Sequence, residues 1–157
     1  MILFTGRGSS GSWKIRGEQL GRALNARVKP QATIHDCKAA DLIVVVKRIS
    51  PTLLDNIRKS GKPWVFDCVD FYPQPECSTW SRNHAIDWVR GKLKKLQPNA
   101  VIWPNEQMQE DCGKGYNGIT LYHHHLPGIE QNPIRQEVQA VCYEGSERYL
   151  GGWLKHI

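Results

Sequence analysis

The run Asp41-Leu42-Ile43-Val44-Val45-Val46-Lys47 constrains this chain more than any other segment. Its apolar residues are consecutive and mostly β-branched, so no side of the segment suits water. A strand of this kind must be covered on both faces, as strands of a parallel sheet are. The neighbouring segments supply what such a sheet needs. Ile2-Leu3-Phe4-Thr5 reads as a short buried strand, followed by a Gly/Ser turn and a helix over 13–24. Ser12 is the expected N-cap, Ile15, Leu20, Ala23 and Leu24 the expected buried face, and Asn25 the stop. A weaker strand falls at 26–29 or at 32–35, with Pro30 between the two options.

After the valine-rich strand, Ser50-Pro51 opens a helix with Leu53, Leu54 and Ile57 on one side, and Gly61 ends it. Trp64-Val65-Phe66-Asp67 is the next strand, and residues 70–82 read as irregular around Pro73 and Pro75. Asn83 caps an expected helix over 84–96, with Ile86, Val89, Leu93 and Leu96 at spacings of three and four. Ala100-Val101-Ile102-Trp103 is a strand, Asn105 caps a short helix through Cys112, and 119–123 is a further strand. Strand and helix thus alternate about six times, which predicts an α/β fold: a doubly wound, mostly parallel, Rossmann-like sheet. The expected organisation is a domain over 1–126 and a Pro/Gly-containing linker over 127–136. A strand and helix over 137–157 follow, either starting a second domain or packing on the first as an extension.

Composition narrows the class. The chain has 157 residues, 40% apolar and 9% aromatic, which is enough for a core and excludes a wholly disordered chain. Its longest apolar run falls far short of the ~18 residues of a membrane-spanning helix. The first six residues are too short for a signal-peptide core. These features lead to an expectation of a soluble, cytoplasmic protein. Cys37, Cys68, Cys77, Cys112 and Cys142 form no C-x-x-C pair, so buried free thiols are expected rather than disulfides or a zinc ribbon. The formal charge of +6 fits an anionic ligand or a basic helix face. Arg90, Lys92, Lys94 and Lys95 supply such a face, which is either solvated or turned to an acidic membrane surface. Nucleic acid is the weaker partner, since no zinc finger or RNP motif is present.

Gly6-Arg7-Gly8-Ser9-Ser10-Gly11 fits G-x-G-x-x-G between a strand and a helix, where free amides and a helix N-terminus suit an anion. A dinucleotide site also needs an acidic residue about 20 positions on, and Asp36 comes too late. A phosphate-binding P-loop needs lysine where Ser12 stands. The turn therefore serves chain geometry or contacts a sugar or phosphate-bearing ligand.

Taken together, these segments resemble the N-terminal half of GT-B glycosyltransferases of the group 1 type. The resemblance is carried by the opening strand and Gly/Ser turn, then by Lys14-Ile15-Arg16-Gly17-Glu18-Gln19-Leu20, where Lys14 stands for an arginine. It continues through the strand ending in Lys47-Arg48, through Lys62-Pro63-Trp64-Val65-Phe66-Asp67-Cys68-Val69-Asp70, and through Trp103-Pro104-Asn105. Val141-Cys142-Tyr143-Glu144-Gly145-Ser146 is similar to the entry of the family's second domain. The resemblance implies transfer of a sugar from a nucleotide-sugar donor to a hydroxyl acceptor, with no bound metal and no further cofactor. It implies that Gly8, Ser9, Ser10, Lys14 and Arg16 line the acceptor side and that Glu144 begins the donor side. Since little of a donor domain is present, the chain is expected to need a second domain, a subunit or a second copy, and to be inactive by itself. The alternative is a non-catalytic Rossmann-like module for a nucleotide, glycan or protein partner.

Individual residues carry both a chemical and a plain reading. Asp70, just past a strand end, suits a general base toward an acceptor hydroxyl, or is an ordinary turn aspartate. Lys47 and Arg48 suit a phosphate or an acidic acceptor, or are solvated loop charges. Asn105 lies at another strand end. In His123-His124-His125, two same-face imidazoles offer only two of the ligands a zinc site needs; one of the three, His124, is a candidate to line a cleft between domains, or the segment is a structural strand end. Trp13 and Trp80, in or beside loops, are expected to stack on a sugar ring, whereas Trp64, Trp88 and Trp103 are expected in the core.

Overall fold

The computed structural model describes residues 1–70 and 81–122. They belong to a compact unit, Met1–His124. The expected linker and the elements over 137–157 lie outside the described residues, as do Trp80, His124 and Glu144.

Six strands form one sheet: β1 (Ile2–Gly6), β2 (Arg27–Val28), β3 (Leu42–Val46), β4 (Trp64–Asp67), β5 (Ala100–Trp103) and β6 (Gly118–Thr120). Every pairing is parallel, and the order is β2-β1-β3-β4-β5-β6. The valine-rich strand is central. It pairs along its length with β1, from Ile2 opposite Leu42 to Gly6 opposite Val46, and with β4 on its other side. Its side chains alternate as a pleated strand demands. Ile43 and Val45 enter one core with Leu3, Phe66 and Val101, while Val44 and Val46 enter another with Phe4 and Trp13. The α/β doubly wound expectation is met, with helices on both sides of the sheet.

Four helices pack into the first core: α2 (Ile34–Ala39), α3 (Pro51–Ser60), α4 (Arg82–Leu96) and α5 (Glu106–Cys112), through residues such as Cys37, Ile57, Leu93 and Met108. On the other face, α1 is a π-helical stretch, Trp13–Gln19, running into α-helical Leu20–Ala23. Local chemistry sets most helix ends. Ser50 Oγ accepts from the Leu53 amide at 3.2 Å with Pro51 next to it, and Gly61 ends α3 in the left-handed region. Ser81, not Asn83, caps α4, and Asn105 caps α5. Buried Cys37, Cys68 and Cys112 are free thiols, and burial pushes the Cys68 thiol up. Among the described residues no helix is long and apolar enough to cross a membrane.

Two expectations are corrected. The buried face of α1 is Trp13, Arg16, Gly17 and Gly21, while Leu24 is 58% exposed and Ala23 is exposed. Ser10 rather than Ser12 caps it, its Oγ accepting from the Trp13 amide at 3.1 Å. The buried positions keep helical spacings of three and four, but they carry Trp, Arg and two glycines, which an aliphatic pattern does not report; of the expected residues, Leu20 is half-buried against the same core. The glycines also let the helix close in. A Cβ at Gly17 would lie 2.7 Å from the Trp13 ring, and one at Gly21 would lie 2.3 Å from Val28 Cγ2. Trp13 is therefore core, 3% exposed, rather than a sugar-stacking platform. The second correction is α2. The weak strand takes the first of its two options, as β2 at Arg27–Val28, and at 32–35 Thr33 and Asp36 instead form a reciprocal capping box that starts a helix.

Asp36 is buried against Arg27 and Lys29, with the Lys29 Nζ contact at 2.7 Å. Hydrogen bonding from Lys29 and then from Thr33 holds its carboxyl well below the usual carboxylate range. Because the folded-state value is depressed, this stabilisation is complete above the unfolded value of about 4 and is lost as pH falls below it. Thermal melts between pH 7 and pH 2 should show the native chain losing stability below about pH 4. Asp36→Asn should be less stable at neutral pH and lose less on acidification. A second prediction uses two glycines. Gly91→Ala, whose Cβ meets nothing within 4 Å on α4, should stabilise by about 1 kcal/mol. Gly17→Ala should destabilise by about 1–3 kcal/mol through overpacking on Trp13, as read by urea denaturation.

Candidate functional site

In an open doubly wound sheet, ligands sit beyond the strand carboxyl ends where the winding reverses. Here the chain winds from β1 outward to β2, then returns to β3 on the other side of β1. The reversal therefore lies between β1 and β3, and Arg7 follows the first while Lys47 and Arg48 follow the second. The two loops are tied there: the Arg7 amide donates to the Arg48 carbonyl at 2.9 Å. A cleft of about 470 Å³ opens at this place. Its described lining carries the cations Arg7, Lys47, Arg48 and Lys92 and no carboxylate, with Ile49 and Phe66 as apolar contacts. That volume is in the range of small-molecule sites.

The same edge stores backbone strain. Ser9, Gln31, Lys47 and Val69, all non-glycine, have φ of 57°, 50°, 56° and 56° and follow β1, β2, β3 and β4 in turn. Around Lys47 the chain makes a three-residue turn, the Arg48 amide donating to the Val46 carbonyl at 2.6 Å. Left-handed backbone costs of order 1–3 kcal/mol per residue and gathers at ligand sites. The β-branched, 1% exposed Val69 is the strongest case.

Asp67 holds this edge together. Its carboxylate receives Arg16 Nε at 2.9 Å and a second guanidinium nitrogen at 3.0 Å. It also accepts the Val69 amide at 3.2 Å, while its carbonyl accepts the Lys47 amide at 2.8 Å. Arg16 spends its remaining nitrogen on the carbonyls of Leu121 and Tyr122. Both charged side chains are 1% exposed.

No protein-family model, curated protein or solved structure matches this chain.

The sequence-derived residues separate in space. Lys47 and Arg48 line the cleft, and Asp70, 60% exposed, forms an ion pair with Lys47. Gly8, at φ 81°, and Ser9 shape the turn beside Arg7, and Ser10 is committed to capping α1. Lys14 is exposed on α1 and is not among the described lining residues. Arg16 is buried on Asp67, facing the interior rather than the cleft. The Asn105 side-chain oxygen caps α5 through the Met108 amide at 2.8 Å. Two of the cleft's cations are not among the sequence-derived site residues. Arg7 is the variable position of the glycine turn, and Lys92 was grouped with the basic face of α4; it also stands 5.6 Å from the Trp88 ring centroid.

A second cavity, about 410 Å³, lies on the α1 side and is lined by Phe4, Leu20, Val44 and Ile102. Asp67 is the charged residue among its described lining, and it is committed to Arg16. Among the described residues no group of three or more His, Cys, Asp or Glu side chains could hold a metal ion.

Arg16→Ala should destabilise by about 3–5 kcal/mol, because it strands a buried carboxylate. Arg16→Met combined with Asp67→Asn should cost less than Arg16→Ala alone, since no unpaired charge remains and the Val69 amide keeps an acceptor. Chemical denaturation of the three proteins checks the order.

Proposed function

We propose that this chain is the acceptor-side, Rossmann-like half of a GT-B-type glycosyltransferase. Its switch-point cleft binds a phosphate-bearing ligand: the diphosphate of a nucleotide sugar or a phosphorylated acceptor. The observation that carries the ligand class is the tie between Arg7 and Arg48 across the β1/β3 reversal, with Lys47 beside them. Two guanidinium groups on linked loops can each offer paired N–H donors to a phosphoryl group, and such charge-assisted bonds are the strong ones. The cleft's apolar side, Ile49 and Phe66, gives the rest of the ligand a surface to pack on.

The transferase part rests on the sequence resemblance and on Asp70. Its exposed carboxylate follows β4 next to the cleft and is of the right chemical type to take the proton of an attacking hydroxyl. Arg16, which the resemblance implied as a ligand contact, acts in this proposal through Asp67 by fixing the edge on which the cleft is built.

Isothermal titration calorimetry with inorganic pyrophosphate and a panel of nucleoside diphosphates tests the binding reading. Each of Arg7→Ala and Arg48→Ala should weaken binding about tenfold, the size of one hydrogen bond to a charged group. Raised salt should weaken binding to the native chain. Failure of every phosphate compound to bind, or binding indifferent to both arginines, would overturn it.

A further inference from the structure

The Lys47–Asp70 ion pair deepens the reading of the cleft and rests on it. Lys47 cannot easily leave. Its amide is fixed to the Asp67 carbonyl, its own turn is closed by the Arg48 amide, and its side chain is 19% exposed. Asp70 is the more open partner, with its side chain 60% exposed. An ion pair this open to solvent is worth only about 0.2–1 kcal/mol, so a ligand of higher charge can displace the carboxylate.

We infer that Lys47 is handed over on binding: Asp70 holds its ammonium group in the empty cleft, and an incoming diphosphate takes it. Asp70 is then both the cleft's built-in competitor and a group released beside the ligand at the moment of binding. The exchange balances in charge, since the ammonium group keeps an anionic partner throughout and no proton needs to move. It also gives the left-handed turn at Lys47 a purpose. The turn keeps the ammonium group at the cleft, so that the ligand and Asp70 compete for a fixed cation.

Asp70→Asn should bind inorganic pyrophosphate about fivefold more tightly than the native chain, the gain expected from removing one weak competing ion pair. Asp87→Asn, the same charge change on an exposed residue of α4, should leave affinity within about twofold because solvent screens it. In the native chain, NMR during a pyrophosphate titration should shift the Asp70 carboxyl carbon with the same midpoint as the Arg48 amide. An Arg48 shift without an Asp70 shift, or equal tightening by Asp70→Asn and Asp87→Asn, overturns the hand-over and leaves the binding site standing. No shift at Arg48 at all overturns the binding reading itself.

Discussion

The carboxylate of Asp67 is the interaction on which the rest of this structure depends. It is the end of β4, yet it reaches the buried guanidinium of α1, the strained Val69 and, through its carbonyl, the turn that presents Lys47. A buried ion pair is rarely a bargain in stability against an apolar replacement. Its value here is geometric. Arg16 also takes the Leu121 and Tyr122 carbonyls, so one guanidinium fixes α1, the end of β4 and the chain just after β6. If Arg16 were a ligand contact, as the family resemblance implied, none of these ties would exist.

The basic edge follows from that anchoring. Four loops leave the sheet with left-handed, non-glycine residues at Ser9, Gln31, Lys47 and Val69, and two of those residues, Lys47 and Val69, are tied directly to Asp67. Unfavourable backbone geometry persists only where surrounding bonds over-determine it. The outcome is a set of cations gathered at the place where a doubly wound sheet offers its ligand site. The described lining of the apolar cavity on the opposite face lacks such convergent polar groups.

Much of the fold was legible because its signals are local. β3 announces itself in five residues, and α3 carries Ser, Pro and Gly at its ends within a dozen. α2 was missed because its cap, Thr33 with Asp36, uses the shorter acid, and because Asp36 owes its setting to Arg27 on the two-residue β2 and to Lys29 just after it. The buried face of α1 was only partly legible because it is built of Trp13, Arg16 and two glycines rather than aliphatic residues, and because the partner of Arg16 lies in another element. The site was half legible. Lys47, Arg48 and Asp70 follow recognisable strand ends, but Arg7 meets Arg48 only through the β1–β3 pairing, which no local pattern reports.

The most direct test is a crystal structure of the chain grown with pyrophosphate. Phosphoryl oxygens are expected on the side chains of Arg7 and Arg48, with Arg16 still paired to Asp67. A diphosphate bound by Arg16, or one seated away from the β1/β3 reversal, would contradict it.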